Sequence, residues 1–562
     1  MWNREYRIEN QESLRQGSGG QAGIRNKEYS LFLLPLASGI VCSITFDISW
    51  AWPLVFVALT PLLIFLTRAR QKCGTRDAFA GGFLFGLIFF GVVLFWFFDS
   101  HPLDWAGVAD PQTSLIFVSI AWAVSVIVLS LFTGAWAAAF QVFRRSTFFD
   151  ITLGAALWVV FEWLRTFGFS LVSYGDGTFW GAHWTFGNLG YTLADSPFLP
   201  WASVGGMYLL SFIIVAVNIA FFLCVEKRFR LSQQTYIAAT ILAILFILAT
   251  TFLSLSSLGH PSSPRISVAL LYTDFPSGFS VFADESRTRR EVFLSLLAQI
   301  REEKQKPDLV VFPEDTRFLA SFSPMSRKAL LQSVSGGTSM TFVDSARTTI
   351  DGKPFSVLSY YDENGLITGE YTKLLLVPHG EYLPFFTGGM ARLFGNGAWA
   401  DAFMKSREYA RGESPVVVRT GQGNFGSLFC SEILSDVLYG TLARDGAEVL
   451  INNASLSFAH GSMRLARQTR IQARMRAAET GRFFLRAANA GTALVITPDG
   501  TVIAESARST GVLYADIARI ATQTLFTRLG NWMLWLSLII CAYGIVQKRK
   551  TVGRGGGGIS RT

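Results

Sequence analysis

Charged residues and cysteines are both scarce in this sequence of 562 residues. Only 16% of the residues are Asp, Glu, Lys or Arg, 50% are apolar, and five are cysteine. The mean hydropathy is +0.36. Soluble globular domains carry about a quarter charged residues, so this composition argues against a soluble protein and indicates a membrane protein.

Internal repeats are also absent, which disfavours a transporter built from inverted repeats. A cleavable signal peptide is not expected either. A polar stretch precedes the first apolar run, and no small-residue cleavage site follows that run at a suitable place. The first apolar run is therefore predicted to stay in the protein as a membrane span.

Eight long apolar runs are the main feature of the sequence. Seven precede residue 258 and one lies near the C-terminus, at 31–46, 52–66, 79–98, 115–140, 153–167, 205–225, 236–255 and 532–546. Lengths of this order suit a bilayer core of about 30 Å at about 1.5 Å per residue. The sequence therefore predicts an α-helical membrane bundle of about eight spans.

Charge in the loops between these runs alternates in sign. Basic residues precede the first run and follow the second, fourth, sixth and eighth, as in 68–76 and 548–554. The other short loops carry mainly acids, among them Asp47, Asp99 and Asp195. Basic loops stay in the cytoplasm, so both termini are predicted to be cytoplasmic and the long segment between the last two runs extracytoplasmic. The net charge of +9 largely follows from this topology, and no nucleic-acid partner is expected.

The segment from about 264 to 521 has a different pattern. Short apolar strands such as "RISVALLY", "DLVVFPE" and "EVLINNAS" are separated by turns such as "DENG" and "PDG". Helical patterns between the strands predict a single α/β domain. The predicted organisation is a polar tail (1–30), a membrane domain (31–259), the α/β domain (260–527), a last membrane helix (528–547) and a basic, glycine-rich tail (548–562).

Only one of the five cysteines, Cys430 in "GSLFCSEILSD", falls in the predicted extracytoplasmic domain. A structural cysteine in an oxidising compartment is usually paired, and this one has no partner there. It is a candidate nucleophile, and the alternative is a buried thiol that acts as a small apolar residue. A nucleophilic thiol needs a base and a group that stabilises negative charge. His379 or His460 could be that base, although nothing in the sequence marks either of them.

Two other stretches carry residues of the required types. "DLVVFPEDTRF" places Glu314 just after an apolar strand, and "YTKLLLVPHGEYLPF" places Lys373 before an apolar run and Glu381 in a glycine-containing loop. The ends of strands are where α/β folds present site residues. Each residue alone is also typical of a solvated surface, so the prediction depends on their occurring together with Cys430 and Glu432.

In this order the three stretches resemble the motifs of the nitrilase superfamily. With apolar runs on both sides, the chain resembles the membrane branch of that superfamily, the apolipoprotein N-acyltransferases. "FEWLRTFGF", "GNWMLWL" and "ARMRAAETGRFFLRAANAG" are also similar to segments of that family. The resemblance implies an α-β-β-α sandwich inserted into a multi-pass protein of the bacterial inner membrane, on its extracytoplasmic side.

The resemblance also implies a Glu–Lys–Cys triad. Glu314 is then the general base, Lys373 stabilises the thiolate and the oxyanion, and Cys430 attacks a phospholipid ester to form a thioester. Glu381 and Glu432 are supporting carboxylates. The acyl chain next passes to the N-terminal amine of the S-diacylglyceryl cysteine of an apolipoprotein, and no metal or cofactor is required.

Some segments depart from the family pattern, above all the loop "LSFAHG", where the family has Asn-Asp-x-Trp-Phe-Gly. Ser431 stands where the family has an aromatic residue, and Gln468 is followed by Thr469. An alternative function is therefore a divergent membrane-bound acyltransferase or amidase that acts on another amine or amide. A third is a catalytically inactive relative, which would be expected to lack a triad residue, and the sequence keeps all three.

Overall fold

The computed structural model describes residues 31–72, 74–108, 110–145, 149–226, 264–276 and 283–555. These residues form a bundle of apolar helices and a mixed α/β domain. The bundle helices are α1 (Leu33–Asp47), α2 (Thr60–Lys72), α3 (Thr75–Val93), α4 (Pro111–Phe143), α5 (Phe149–Val172), α6 (Ala202–Val225) and, after the α/β domain, α14 (Trp532–Gly555). Short 3₁₀ helices at their ends are Ser49–Phe56, Phe95–Ser100, Leu103–Ala106, Leu189–Leu193 and Leu199–Trp201.

Five helical segments of the described residues are long and apolar enough to cross a membrane. They are Ser49–Arg68, Thr75–Ser100, Pro111–Phe143, Phe149–Val172 and Leu199–Val225, and each contains one of the predicted apolar runs. The run at 31–46 corresponds to the shorter helix α1, and the run at 532–546 lies within α14. The run at 236–255 lies outside the described residues.

Helices α3 and α4 approach each other closely because small residues line their contact. A Cβ atom added to Gly82 would lie 2.5 Å from the backbone oxygen of Thr133, and one added to Gly86 would overlap the Thr133 hydroxyl. Small residues permit close van der Waals packing, which matters where lipid removes the hydrophobic driving force between helices. This packing fixes α3, whose C-terminal turn reaches the α/β domain.

The α/β domain has twelve strands in the described residues, arranged in two halves. They are β1 (Arg265–Thr273), β2 (Leu309–Val311), β3 (Thr341–Ile350), β4 (Lys353–Tyr361), β5 (Ile367–Thr372), β6 (Val417–Thr420), β7 (Gly423–Phe429), β8 (Val449–Ser455), β9 (Phe483–Asn489), β10 (Leu494–Ile496), β11 (Val502–Glu505) and β12 (Gly511–Ala518). One half has the order β5-β4-β3-β2-β1-β12 and the other β6-β7-β8-β9-β10-β11. A short parallel pairing joins them, with Tyr272 and Thr273 opposite Ala488 and Asn489.

The described part of the α/β domain also contains helices. They are α7 (Ala283–Glu302), α8 (Pro324–Ser335), α9 (Phe385–Leu393), α10 (Gly397–Arg407), α11 (Asp436–Arg444), α12 (Met463–Thr480) and α13 (Leu525–Leu529). Between the halves, Val268 and Leu270 share an apolar core with Ile451 and Leu485. α7 and α8 pack on the first half. α11 and α12 pack on the second, in the same apolar core as the membrane helices, so this α-β-β-α domain rests on the bundle.

Acidic loops at one end of the membrane helices bind basic side chains of the α/β domain. Asp195 accepts hydrogen bonds from Arg467 and Arg474 of α12, and the Arg467 Nη2 to Asp195 Oδ2 distance is 3.1 Å. Asp47 lies 3.5 Å from Arg464 on the same helix. The acidic loops that the charge pattern assigned to the side of the α/β domain therefore contact that domain.

Candidate active site

Cys430 lies where β7 ends and the chain turns into the 3₁₀ helix Cys430–Leu434. β7 runs parallel to β8, and the carboxyl ends of parallel strands form the edge at which α/β folds bind ligands. The residue is 8% exposed, and Sγ donates a hydrogen bond to the backbone oxygen of Ser455 at 3.4 Å. The thiol is therefore at the carboxyl edge of the parallel strands, in a largely dehydrated site.

Glu314, Lys373 and Glu381 form an ion cluster at the same edge. Glu314 follows β2 and Lys373 follows β5. The Lys373 Nζ atom lies 2.9 Å from Glu314 Oε1 and 2.9 Å from Glu381 Oε2. The lysine side chain is 1% exposed and each glutamate 15%. A buried ammonium is costly unless it is paired, and here two carboxylates hold it.

Burial dominates the proton affinity of these groups. The pKa of the Cys430 thiol is raised to about 12, mainly by burial and in part by Glu314, while Arg486 and Lys373 act to lower it. Burial also raises the pKa of Glu314, and Lys373 partly opposes this increase. Burial lowers the pKa of Lys373, but Glu314 and Glu381 outweigh it and leave that pKa above its ordinary value. Burial thus favours the protonated thiol and makes the Glu314 carboxyl group more basic, a combination that suits proton transfer from Cys430 to Glu314.

Glu432 is completely buried and links the cysteine turn to the lysine segment. Its Oε2 atom accepts the backbone N–H of the residue before Cys430 at 2.7 Å. Its Oε1 atom accepts the backbone N–H groups of the two residues after Lys373, at 2.8 and 3.1 Å, and the Tyr371 hydroxyl at 2.5 Å. One carboxylate therefore fixes two segments that are distant in sequence.

Glu381 and Ser431 hold the segment after Lys373 from other sides. Glu381 Oε2 accepts the backbone N–H of Val377 at 2.8 Å. The Ser431 hydroxyl donates to the backbone oxygen of Leu375 at 2.7 Å. Ser431, which departs from the family pattern, thus has a structural partner in this chain.

The 3₁₀ helix Phe95–Ser100, which follows membrane helix α3, forms one wall of the thiol site. Cys430 belongs to an apolar cluster with Leu456 and Leu465, against which Trp96 and Phe458 pack. The ring centroids of Trp96 and Phe458 are 6.2 Å apart. The thiol therefore adjoins an apolar wall that is continuous with the membrane bundle.

Three buried polar residues at this edge were not singled out from the sequence. Asn453 donates to the backbone oxygen of Phe312 at 2.7 Å, just after β2. Arg486 donates to Asn452 Oδ1 at 2.6 Å, and Asn452 donates to the backbone oxygen of Leu428 at 3.3 Å. The sequence did contain a signal for these residues. In "LINNAS" and "FFLRAAN", polar groups that are costly to bury interrupt apolar strands.

The two histidines considered as bases have partners other than the thiol. His379 Nε2 lies 2.7 Å from the Thr387 hydroxyl, and His460 Nε2 lies 3.1 Å from the backbone oxygen of Pro102. Burial lowers the pKa of His379 to about 4. Within the described residues, no three or more His, Cys, Asp or Glu side chains are grouped so that they could hold a metal ion.

Two family models match the two parts that the structure separates. Residues 38–220 match the apolipoprotein N-acyltransferase N-terminal domain. Residues 288–525 match the carbon-nitrogen hydrolase family. The first match covers bundle helices and the second covers the α/β domain with the cysteine, lysine and glutamate cluster.

Apolipoprotein N-acyltransferases of several bacteria are similar to this chain over most of its length. An apolipoprotein N-acyltransferase of Nostoc sp. is 25% identical over 495 residues, which cover 86% of this chain and 92% of the relative. One of Synechocystis sp. is 26% identical over 522 residues, which cover 88% and 93%. Among solved structures, Saccharomyces cerevisiae Nit3, a member of branch 10 of the nitrilase superfamily, has 16% identity and a TM-score of 0.33, covering 45% of this chain and 90% of Nit3.

Proposed function

We propose that this chain, which belongs to the apolipoprotein N-acyltransferase family of the nitrilase superfamily, moves a fatty acyl chain from a phospholipid to an apolipoprotein. The acceptor is the N-terminal amine of an S-diacylglyceryl cysteine, and the acyl chain passes through a thioester on Cys430. The observation that carries the proposal is the ammonium of Lys373, held 2.9 Å from both Glu314 and Glu381 near a single cysteine.

In the first half-reaction, Cys430 Sγ attacks the ester carbonyl carbon of the phospholipid while its proton passes to Glu314. A carbon–sulfur bond forms, and the carbonyl oxygen gains a negative charge that Lys373 and the backbone N–H of Ser431 stabilise. The intermediate then expels the glycerol oxygen, which takes the proton from Glu314. A lysophospholipid leaves and the acyl chain remains on sulfur.

In the second half-reaction, the α-amine of the lipoprotein attacks the thioester carbon. A carbon–nitrogen bond forms, the amine proton passes to Glu314, and the carbon–sulfur bond breaks. The sulfur takes the proton back from Glu314, which restores the thiol and the carboxylate. A thioester is less stable than an amide, so this step needs no external energy.

Glu381 and Glu432 are positioning residues in this scheme. Glu381 shares the Lys373 ammonium with Glu314 and so holds the lysine when Glu314 is protonated. Glu432 keeps the lysine segment at a fixed distance from the cysteine turn through four hydrogen bonds. Preorganised donors of this kind are the main source of oxyanion stabilisation in acyl transfer.

The membrane arrangement that goes with this reaction has about eight spans and both termini in the cytoplasm. The domain boundaries are those of the sequence prediction, with the catalytic domain at 260–527 on the extracytoplasmic, or periplasmic, side of the inner membrane. Support comes from the alternating loop charges and from the contacts of Asp47 and Asp195 with α12. Phospholipid then reaches the thiol laterally, past the apolar wall at Trp96.

A second candidate is a membrane-bound acyltransferase or amidase that acts on another amine or amide. The altered loop "LSFAHG" favours it, because Phe458 of this loop packs between Trp96 and Trp105, with ring centroids 6.2 and 5.9 Å away. A changed loop in this wall changes the surface that an acceptor meets.

The test is acyl transfer by the purified full chain in phospholipid-containing micelles. A diacylated lipopeptide with a free N-terminal amine serves as acceptor, and the amide product is detected by mass spectrometry. We expect product with the parent and none with Cys430→Ser. An acylated Cys430 that yields no lipopeptide amide, but transfers to other amines, would support the second candidate and exclude the first.

A further inference from the structure

Arg486 is a buried guanidinium for which no ion pair occurs among the described residues. It lies on β9 and is 2% exposed. Its Nη1 atom donates to Asn452 Oδ1 at 2.6 Å, while Nη2 is buried without a hydrogen-bond partner. An unpaired charge in a protein interior carries a large desolvation penalty. The fold therefore keeps a costly cation at this position.

Other buried arginines of the catalytic domain have partners of a different kind. Arg476 lies 3.1 Å from the Glu479 carboxylate. Arg482 donates to backbone oxygens, including those of Ala447 at 2.7 Å and Ala521 at 3.1 Å. Arg486 has neither a carboxylate nor a set of carbonyls around Nη2, so structural satisfaction does not explain it.

Strand register places Arg486 in a row of residues that ends near Cys430. Leu428 of β7 pairs with Asn452 of β8, which pairs with Arg486 of β9. β7 ends at Phe429, and Cys430 follows it directly, two residues after Leu428. Asn452 connects the two ends of this row, since it accepts from the guanidinium and donates to the backbone oxygen of Leu428.

The electrostatic effect has the matching sign. Burial and Glu314 raise the pKa of the Cys430 thiol, and Arg486 lowers it by more than Lys373 does. Burial lowers the pKa of Arg486, and the strongest opposing influence comes from Cys430. The two groups therefore favour each other's charged forms. Lys373 stabilises negative charge on the sulfur less, because Glu314 and Glu381 neutralise the lysine charge.

We propose that Arg486 is a second cation of the active site, which stabilises negative charge on the Cys430 sulfur. That charge develops when the thiol proton moves to Glu314 and again when the thioester carbon–sulfur bond breaks. The unpartnered Nη2 atom is the group available for this interaction. The inference rests on the proposed role of Cys430, but on neither the acyl donor nor the acceptor.

The experiment measures the reactivity of the thiol without any lipid substrate. Cys430 is alkylated with iodoacetamide between about pH 7 and about pH 10, and the product is quantified on the tryptic peptide 420–444, which contains no other cysteine and no internal Lys or Arg. We expect Arg486→Met to lower the rate about tenfold or more at every pH, as for a rise of about one unit in the thiol pKa. Arg486→Lys keeps the charge and is expected to stay within a few fold of the parent.

Two further variants keep the proposal falsifiable. Arg486→Gln can retain a hydrogen bond to Asn452 without the charge, and it should lose reactivity as Arg486→Met does. Arg482→Met removes another buried guanidinium from the same strand region and should leave the profile of the folded protein unchanged. A folded neutral variant of Arg486 whose profile superimposes on that of the parent would overturn the proposal. Failure of the proposed function would give a different result. The parent protein would then form no acyl adduct, whatever its alkylation profile.

Discussion

Lys373 and Glu314 share a hydrogen bond of 2.9 Å but contribute to different steps of the proposed reaction. Glu314 accepts the thiol proton, whereas Lys373 supports the negative charges that follow. High pH can replace a missing base, because hydroxide removes the thiol proton, but it cannot replace a missing cation. The two roles can therefore be separated by how well activity is restored at alkaline pH.

We predict that Glu314→Gln lowers the rate of Cys430 acylation about 10²–10⁴-fold, the usual range for loss of a general base. Raising the pH should restore part of this rate. Lys373→Met should cost about 10²–10³-fold, as for a lost oxyanion donor, and should be restored less. Acyl adduct formation is followed by mass spectrometry against pH for both variants. Equal recovery of the two variants would contradict the separate roles.

Glu432→Gln tests whether the buried carboxylate positions the cysteine and lysine segments. An amide presents an NH₂ group to backbone N–H donors that now face carboxylate oxygens. We expect a loss of about 1–3 kcal/mol in the free energy of unfolding and slower acylation. Thermal unfolding in detergent and the adduct rate are measured together. Glu370→Gln is the matched control, because Glu370 is exposed and accepts a hydrogen bond from the Ser359 hydroxyl at 2.6 Å. A similar loss in both variants would argue against the positioning role.

At the scale of helices and strands, the sequence predicts positions better than contacts. Glu314 and Cys430 follow apolar strands and Lys373 precedes an apolar run, which are local patterns visible in the sequence. Asp195 binds Arg467 and Arg474 across 272 and 279 residues. No local pattern contains such a pairing, because it depends on how α12 lies against the membrane loops.

The same limit applies to Arg486 and Asn452. Each is visible as a polar residue in an apolar strand, but only the register of β7, β8 and β9 shows that they form one row ending near Cys430. Hydropathy, by contrast, is a property of each segment alone. Hydropathy therefore predicted the five long apolar helices. Glu432 was predicted as a supporting carboxylate, but its hydrogen-bond partners could not be predicted from the sequence.

The contact between α12 and the membrane loops should contribute to the stability of the whole site. We predict that Asp195→Asn lowers the free energy of unfolding by about 1–3 kcal/mol, because it leaves two arginines, 25% and 16% exposed, without their carboxylate. Thermal unfolding in detergent provides the measurement. The control is Glu505→Gln, whose partner Arg470 is 31% exposed and whose loss should cost less than about 1 kcal/mol. Equal losses of unfolding free energy in the two variants would show that the Asp195 contact contributes no more than an exposed ion pair.

At the scale of the whole molecule, loop charge and the contact between bundle and catalytic domain lead to one orientation. The acidic loops touch α12, whereas Lys548 of α14 donates to the backbone oxygen of Val142, near the basic residues Arg144 and Arg145. Basic loops remain cytoplasmic, so the catalytic domain is expected outside.

Single cysteines introduced at the two ends test this orientation in intact spheroplasts. Met325→Cys, at a position that is 83% exposed on the catalytic domain, should react with an impermeant maleimide added from outside. Arg145→Cys, at an exposed position at the opposite end, should react only after lysis. The reverse pattern would mean that the domain faces the cytoplasm.

The central claim is that Cys430 carries the acyl chain between donor and acceptor. Its most direct test is the mass of peptide 420–444 from the full chain after incubation with a phospholipid of one defined acyl chain and no acceptor. The account predicts a mass increase equal to that acyl chain, removed by hydroxylamine as a thioester is. It also predicts loss of the adduct when the lipopeptide acceptor is added. An unmodified Cys430 in a preparation that still converts phospholipid to lysophospholipid, or parent-level turnover by Cys430→Ser, would contradict the account.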